Sequence, residues 1–190
     1  MTASVVKTTR EAADTWRLTE PICTPAPICT PALLGLLPLV GKTRDMPLHR
    51  DYRLLDGPPP LADYLRLRVE SGLSPKSGAQ GAGALTGSWT FRHVVDAAGD
   101  VVGMGRVVGD GAWYFLIADM ATLPEHQGRG IGGAILDALL AHIAEHAPSG
   151  AYVTLTADPP GRRLYEQRFF VDVAPGRTGM HLVMPTPGVR

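Results

Sequence analysis

The chain has 190 residues, of which 45% are hydrophobic, and its 18 Lys and Arg residues balance its 18 Asp and Glu residues. This length and composition predict one globular domain with a substantial core. The neutral balance, without a Lys/Arg run, indicates neither nucleic-acid nor membrane binding. The two cysteines, Cys23 and Cys29, are too few for a disulfide scaffold and fit no usual zinc spacing. We therefore expect a cytoplasmic protein without a metal site.

The first 45 residues differ in composition from the rest of the chain. An Ile-Cys-Thr-Pro-Ala motif at 22–26 is repeated at 28–32, and closely spaced prolines interrupt any regular element there. The apolar run at 32–40 is far shorter than the ~20 residues of a membrane-spanning helix. It also begins too deep in the chain for a signal peptide. We expect residues 1–45 to be a disordered or loosely docked extension, and residues 46–190 to be the functional domain.

Hydrophobic periodicity and turn residues predict the elements of the first half of that domain. Residues 51–55 read as a strand, and residues 61–71 have the i, i+3/i+4 spacing of a helix. The glycine-rich residues 74–88 are either a loop or a weak helix, and either a mobile flap over an acceptor site or a plain connection. Residues 89–95 and 100–108 read as a β-hairpin, and a third strand follows from Trp113. Consecutive strands with short turns predict an antiparallel meander.

The main aromatic residues of this half fall on the predicted strands. They either line a pocket for an aryl or alkyl amine or fill the core, and the core is the favoured interpretation. These residues are Trp89, Trp113, Tyr114 and Phe115.

A glycine-dense loop within residues 119–133 joins the third of these strands to a helix that continues to about His146. A helix start leaves backbone N–H groups without carbonyl partners, and the helix dipole adds partial positive charge. Because Gly128, Gly130 and Gly132 lack side chains, a diphosphate can approach the main chain closely. Arg129 would add a cation. The loop therefore predicts a site for a phosphate-containing ligand.

The remaining pattern predicts a strand at 151–156, a short helix at 162–168, and two closing strands at 169–173 and 179–184. A strand, a helix and a strand around Gly128 would place the fourth and fifth strands in parallel.

Two motifs resemble those of the GNAT superfamily, the acyl-CoA-dependent N-acetyltransferases. Gln127-Gly-Arg-Gly-Ile-Gly132 resembles that family's Q/R-x-x-G-x-G/A pyrophosphate loop. Leu164-Tyr165-Glu166, followed by Phe169-Phe170, resembles its L-Y-E-x-x-G-F segment. The resemblance covers roughly residues 52–184. It implies a mixed α/β (α+β) GNAT fold, in which about four helices flank a mostly antiparallel sheet whose strands 4 and 5 are parallel and splayed apart.

The resemblance also implies a reaction, the transfer of an acetyl group from acetyl-CoA to a primary amine. Backbone groups of Ala121 and Leu123 would bind the pantetheine arm of acetyl-CoA. Tyr165 matches the family's tyrosine that protonates the departing thiolate, although a packing role is the alternative. A phenol with a reference pKa of ~10 can donate that proton. The diphosphate would be held by the loop residues Gln127, Gly128, Arg129, Gly130, Ile131, Gly132 and Gly133.

The general base of this reaction stays open at the level of sequence. Asp119 is a candidate at the end of a strand, Glu70 and Glu125 are alternatives, and a water chain would also serve. Two positions depart from the family pattern. Asp158 stands where the family often has an Asn that touches the pantetheine, and an ionised carboxylate accepts hydrogen bonds but donates none. Phe169 replaces the usual glycine, which indicates a changed turn.

Two other functions compete with this interpretation. The segment 128–133 also satisfies G-x-G-x-x-G, which predicts a dinucleotide-binding domain with Asp158 as its acidic residue. Against it, Pro124-Glu-His-Gln127 separates the strand from the first glycine, whereas the dinucleotide loop turns directly off its strand. The other alternative is a non-catalytic acyl-CoA-binding module on the same fold. The sequence leaves open whether the acceptor is a small molecule or a peptide, and whether the protein is a monomer or a homodimer.

Overall fold

The computed structural model describes residues 47–180, so the predicted extension at 1–45 and the end of the last predicted strand lie outside the described residues. The described chain forms a sheet with helices on both faces. Its strands are β1 (Arg53–Asp56), β2 (Thr90–Val95), β3 (Val101–Gly109), β4 (Tyr114–Thr122) and β5 (Tyr152–Thr154). Its α-helices are α1 (Leu61–Glu70), α2 (Gly78–Gly87), α3 (Ile131–His146) and α4 (Arg162–Glu166).

The five strands lie in the order β1-β2-β3-β4-β5. The first three pairings are antiparallel, and β4 and β5 are parallel. β4 and β5 pair only from Tyr114–Tyr152 to Leu116–Thr154, and then the two strands separate. This confirms the predicted mixed α/β fold with a parallel, splayed pair. A dinucleotide-binding domain has a mostly parallel sheet, so that alternative is wrong.

Helix α3 packs closely on one face of the sheet because β3 carries glycines beneath it. A Cβ at Gly103 would lie 2.5 Å from Cγ2 of Ile131, and a Cβ at Gly105 would lie 2.7 Å from Cγ2 of Ile135. The buried stripe of α3, which includes Ile131, Ile135 and Leu139, therefore lies directly against the backbone of β3. This contact fixes the position of the helix start.

Helices α1 and α2 cover part of the other face. The ring of Tyr64 on α1 packs edge-on against Phe91 of β2, with centroids 6.1 Å apart. The glycine-rich segment after α1 is a helix, which decides between the two predicted alternatives. A capping box between Ser77 and Gln80 starts it. Gly81 gives it room against α1, because a Cβ there would lie 2.8 Å from a methyl of Leu61.

Strand β4 contains a β-bulge at Asp119. Met104 pairs with Ala121 and Arg106 with Ala118, so Asp119 and Met120 together lie opposite Gly105. Asp119 has a φ of 53°, a conformation that is uncommon outside glycine but enriched for Asp. An extra residue in one strand exchanges the directions of the backbone groups that follow it.

The predicted core role of the aromatic residues is correct for two and wrong for two. Phe115 is fully buried, and Trp89 packs on it with ring centroids 4.7 Å apart. Trp113 and Tyr114 are 60% and 44% exposed. Both lie at the start of β4, where Trp113 precedes the strand and Tyr114 is its first residue.

The strand predicted at 169–173 is absent from the described residues. The chain reverses at Phe169, which has a φ of 64°. The Phe170 amide donates to the Tyr165 carbonyl (3.2 Å), and the Phe169 amide donates to that of Glu166 (3.2 Å). These are the two hydrogen bonds of a Schellman motif, with Phe169 in the position where glycine is usual. Beyond it, Val171 is 84% exposed and pairs with no strand.

Candidate active site

A cavity of about 390 Å³ lies between the end of β4, the start of α3 and α4. It brings together most of the predicted site residues: Ala121, Gln127, Gly128, Gly130, Ile131, Gly132, Gly133 and Tyr165. The other predicted residues do not line it: Asp119, Leu123, Arg129 and Asp158.

The start of α3 presents unpaired backbone N–H groups to this cavity. Gly130 is the N-cap, with a φ of 81° and no capping side chain. The first intrahelical bond runs from the Ala134 amide to the Gly130 carbonyl (2.9 Å). The amides of Ile131, Gly132 and Gly133 therefore have no carbonyl of the helix to bind. An anion such as a diphosphate would satisfy them and interact favourably with the helix dipole.

Strand β4 borders the cavity through Met120, Ala121 and Thr122, and of its backbone groups the Thr122 carbonyl faces the gap, one residue away from the positions that the family resemblance implies. The Leu123 amide donates to Val102 in β3 (3.0 Å), and its carbonyl accepts from the His126 amide (2.9 Å). Ala121 lies two residues before Leu123 and pairs with Met104 of β3. Backbone groups of an antiparallel strand point to the same neighbour at every second residue, so those of Ala121 also face β3. The Thr122 carbonyl faces the gap and accepts a hydrogen bond from Nε2 of Gln127 (3.2 Å). The bulge at Asp119 causes this shift, and the pantetheine contacts of Ala121 and Leu123 stay a prediction.

Arg129 is directed away from the cavity, towards the first residues of the described chain. Its Nη1 donates to the Tyr52 hydroxyl (2.7 Å), and the guanidinium lies 6.0 Å from the centre of that ring. The Tyr52 hydroxyl also lies 3.0 Å from Nδ1 of His126, a residue of the cavity wall. Arg129 therefore does not supply the predicted cation. With buried Tyr52, it holds the loop in place.

Tyr165 lies on α4 and borders the same cavity as the helix start. Burial raises the pKa of its phenol above the usual value, and the nearby charge of Asp158 raises it further. The phenol therefore keeps its proton at neutral pH, as a proton donor must. Asp158 does not line the cavity, and its effect on the site is electrostatic, through Tyr165.

The Asp119 carboxylate binds three donors and lies outside the cavity. Oδ1 accepts from Nη1 of Arg68 (2.5 Å), and Oδ2 accepts from Nε of Arg106 and the hydroxyl of Tyr64 (both 2.6 Å). Burial opposes its ionisation, but the Tyr64 hydrogen bond and the charges of Arg106 and Arg68 outweigh burial and lower its pKa. A carboxylate held in this way is a poor proton acceptor. This geometry argues against Asp119 as the general base.

The alternative bases are not in the cavity wall either. Glu70 pairs with Arg66 on the exposed side of α1, with Nη1 and Oε2 3.1 Å apart. Glu125 lies exposed in the 3-10 turn Pro124–His126. Within residues 47–180, no group of His, Cys, Asp or Glu is placed to hold a metal ion. No α-helix in that part of the chain has the length and apolar character needed to cross a membrane.

A second cavity of about 750 Å³ lies beside β5, which pairs only with β4 among residues 47–180. Its walls include Tyr152, Thr154, Arg162 and Phe170. Tyr165 borders this cavity as well as the smaller one, so the phenol lies where the two meet.

Several residues of the smaller cavity carry no site signal of their own in the sequence. Pro160 and Gly161 come from the segment before α4, and Met120, Thr122 and His126 come from β4 and the turn that follows it. Pro160 and Gly161 directly precede the helix that carries the Leu-Tyr-Glu motif, and this closeness is a signal that could have placed them in the site. Nothing in the sequence indicates Thr122, because its direction depends on the bulge.

Comparison with known proteins identifies the family. A model described as an acetyltransferase (GNAT) domain matches residues 89–171. A probable acetyltransferase of unknown function from meticillin-resistant Staphylococcus aureus is 31% identical, with a TM-score of 0.67, over 70% of this chain and 99% of that one. No curated protein matches the sequence.

Two more distant structures share the fold. One is a GNAT family acetyltransferase from Streptococcus pneumoniae, with 22% identity and a TM-score of 0.58 over 71% of this chain and 99% of that one. The other is an acetyltransferase from Trypanosoma brucei, with 20% identity and a TM-score of 0.56 over 70% of this chain and 100% of that one. The matching family model and the Staphylococcus relative, added to the sheet and the glycine loop, place this chain in the GNAT family of acetyltransferases.

Proposed function

We propose that the protein transfers the acetyl group of acetyl-CoA to a primary amine of a small-molecule or peptide acceptor. One observation carries this proposal. The unpaired amides at the start of α3 and the protonated phenol of Tyr165 border the same cavity. The first group suits a diphosphate, and the second suits a leaving group that departs with negative charge.

The binding role falls to the loop and to β4. The amides of Ile131, Gly132 and Gly133 would donate to diphosphate oxygens, and the glycines keep side chains out of the way. Beyond Leu116, no strand in the described part of the chain pairs with β4 on its β5 side. An extended ligand with amide groups fits that gap, where the Thr122 carbonyl would accept from one of them.

The chemical role falls to Tyr165. When bound, acetyl-CoA supplies a thioester, whose carbonyl carbon the acceptor amine attacks. The new N–C bond forms as the C–S bond breaks, and the Tyr165 hydroxyl would give its proton to the departing sulfur. The nitrogen loses its extra proton to water or to an unassigned base, and solvent reprotonates the phenol. Proton donation of this kind typically contributes on the order of 10²–10⁴-fold in rate.

Tyr165→Phe tests this proposal, because it removes one oxygen and almost no packing volume. We expect kcat to fall about 10²–10⁴-fold across a panel of amines, while the Kd for acetyl-CoA and the melting temperature stay close to those of the wild type. Tyr114→Phe is the matched control, since Tyr114 is half exposed and borders neither cavity, and its kcat should not change.

The same measurements separate the enzyme from a non-catalytic module. Full kcat in Tyr165→Phe would make Tyr165 a packing residue. A wild-type protein that binds acetyl-CoA but acetylates no amine of the panel would favour the acyl-CoA-binding module.

A further inference from the structure

The buried polar cluster around Asp119 joins strands β3 and β4 to helix α1. The Asp119 side chain is 13% exposed and that of Arg68 is 6% exposed, so both charges lie largely out of water. Buried charges of this kind are paired and hydrogen-bonded, as they are here. The cluster consists of Asp119, Arg68, Arg106 and Tyr64, and we call it the Asp119 clamp.

Both arginines of the Asp119 clamp also bind residues of the segments that flank α2. Nε and Nη2 of Arg68 donate to the carbonyl (3.0 Å) and the hydroxyl (3.3 Å) of Ser74, in the segment that precedes α2. Nη1 of Arg106 donates to the hydroxyl of Ser88 (3.2 Å), the C-cap of α2. A single carboxylate therefore orients the two guanidinium groups that hold the helix from both sides.

Helix α2 needs such anchors because its own sequence favours a helix weakly. It contains Gly78, Gly81, Gly83 and Gly87 among its ten residues. Each glycine inside a helix costs about 1 kcal/mol relative to alanine. Of the ten residues of α2, only Gly81 is buried. The stability of α2 therefore depends on contacts with residues outside the helix.

The other side of the Asp119 clamp is the wall of the cofactor cavity. Asp119 is the bulge residue of β4, and the residues directly after it, Met120, Ala121 and Thr122, line that cavity. Any shift of this wall on ligand binding moves the bulge. A shift of the bulge moves the carboxylate that orients Arg68 and Arg106.

We propose that Asp119 is a positioning residue that couples coenzyme binding in the β4 cavity to the order of α2. The proposal rests on the proposed function, because it requires coenzyme A in that cavity. Coupling of this kind acts in both directions, so an ordered α2 also favours the bulge geometry that the coenzyme needs. It gives Asp119 a role that does not require it to accept a proton.

Hydrogen exchange followed by mass spectrometry tests the coupling, with coenzyme A as the probe. In the wild type, coenzyme A should slow exchange in two segments, the start of α3 (131–139) and α2 (78–87). In Asp119→Asn, exchange in α2 should be about tenfold faster, since a charge-assisted network is lost, and coenzyme A should no longer slow it. Protection of 131–139 should persist. Asn tolerates the positive φ of this position, so the bulge itself can form.

Two further variants complete the test. Arg68→Lys keeps a positive charge beside Asp119 but lacks the fork that also reaches Ser74, so it should loosen α2 in the same way. If Asp119→Asn does not fold, Arg68→Lys still tests whether coenzyme binding is coupled to the order of α2. Asp63→Asn is the matched control, because Asp63 pairs with Arg66 on α1 (3.0 Å) and does not touch the Asp119 clamp, so its exchange should match the wild type.

The outcomes separate this proposal from the one on which it rests. If coenzyme A protects 131–139 but leaves α2 unaffected in the wild type, the coupling is refuted and the coenzyme site stands. The same holds if α2 of Asp119→Asn responds as in the wild type. If coenzyme A protects neither segment, both proposals are refuted.

Discussion

Replacing Gly103 by alanine tests whether close packing of α3 on β3 positions the coenzyme site. The added Cβ would lie 2.5 Å from Cγ2 of Ile131 and 3.3 Å from Cδ1 of Ile135. Carbon atoms in contact lie about 3.5–4.0 Å apart, so Ile131 has to move by about 1 Å. Overpacking of this kind typically costs about 1–3 kcal/mol. For a domain of this size, that corresponds to a melting temperature lower by about 3–9 °C.

The displacement also has a functional consequence, because Ile131 is the first residue of α3. Moving it shifts the amides that would bind the diphosphate, so the affinity for acetyl-CoA should fall together with stability. Calorimetry of unfolding and of coenzyme binding measures both effects on the same samples.

Two variants make the interpretation specific. Gly83→Ala is the matched control, since nothing lies within 4 Å of its new Cβ, and alanine there should stabilise the protein by up to about 1 kcal/mol. Ile131→Ala removes the obstructing methyl group, so the double variant should be more stable than the two single effects predict. A Gly103→Ala protein with unchanged stability and affinity would refute the reasoning.

Two other predictions concern ligand binding and pH. Gly132→Glu places a carboxylate in the first turn of α3, where an acidic side chain stabilises a helix, so the fold should survive. The same carboxylate lies in the cavity and should abolish acetyl-CoA binding. Unchanged binding in a thermal-shift titration would contradict the coenzyme site. The lowered pKa of Asp119 should add stability above its unfolded value of about 3.9, and this contribution should disappear as the pH falls through the folded pKa. Urea unfolding between about pH 3 and 7 should therefore show a weaker loss of stability on acidification in Asp119→Asn, and equal pH dependence would contradict the assignment.

Local signals made most of the fold predictable. The loop at 127–133 and the periodic stripe of α3 depend on residues near one another in the sequence, and both lie where the sequence predicts them. The start of α2 had a local signal as well, the Ser77/Gln80 capping box. The glycines that follow obscured it. Helix α1 ends within one residue of its predicted end.

The unpredicted features depend on contacts between distant residues. Asp119 is an ordinary acidic residue in the sequence, and two of its three partners, Tyr64 and Arg68, lie 55 and 51 positions earlier. No periodic pattern contains those pairings. The absent strand at 169–173 has a different cause, because Phe169 takes a backbone conformation that sequence rules assign to glycine.

The bulge in β4 decides which face of the sheet the later residues of the strand occupy. Phe115 and Ile117 before it, and Ala121 and Leu123 after it, are all buried and occupy alternate positions of the sequence, with Asp119 between them. The two pairs nevertheless lie on opposite faces. Straightening β4 with all its residues kept would turn Leu123 towards α3 and place the Thr122 hydroxyl under α1. Alignments of this strand with relatives therefore need a one-residue gap wherever a relative lacks the bulge, or every later position is compared with a residue from the wrong side of the sheet.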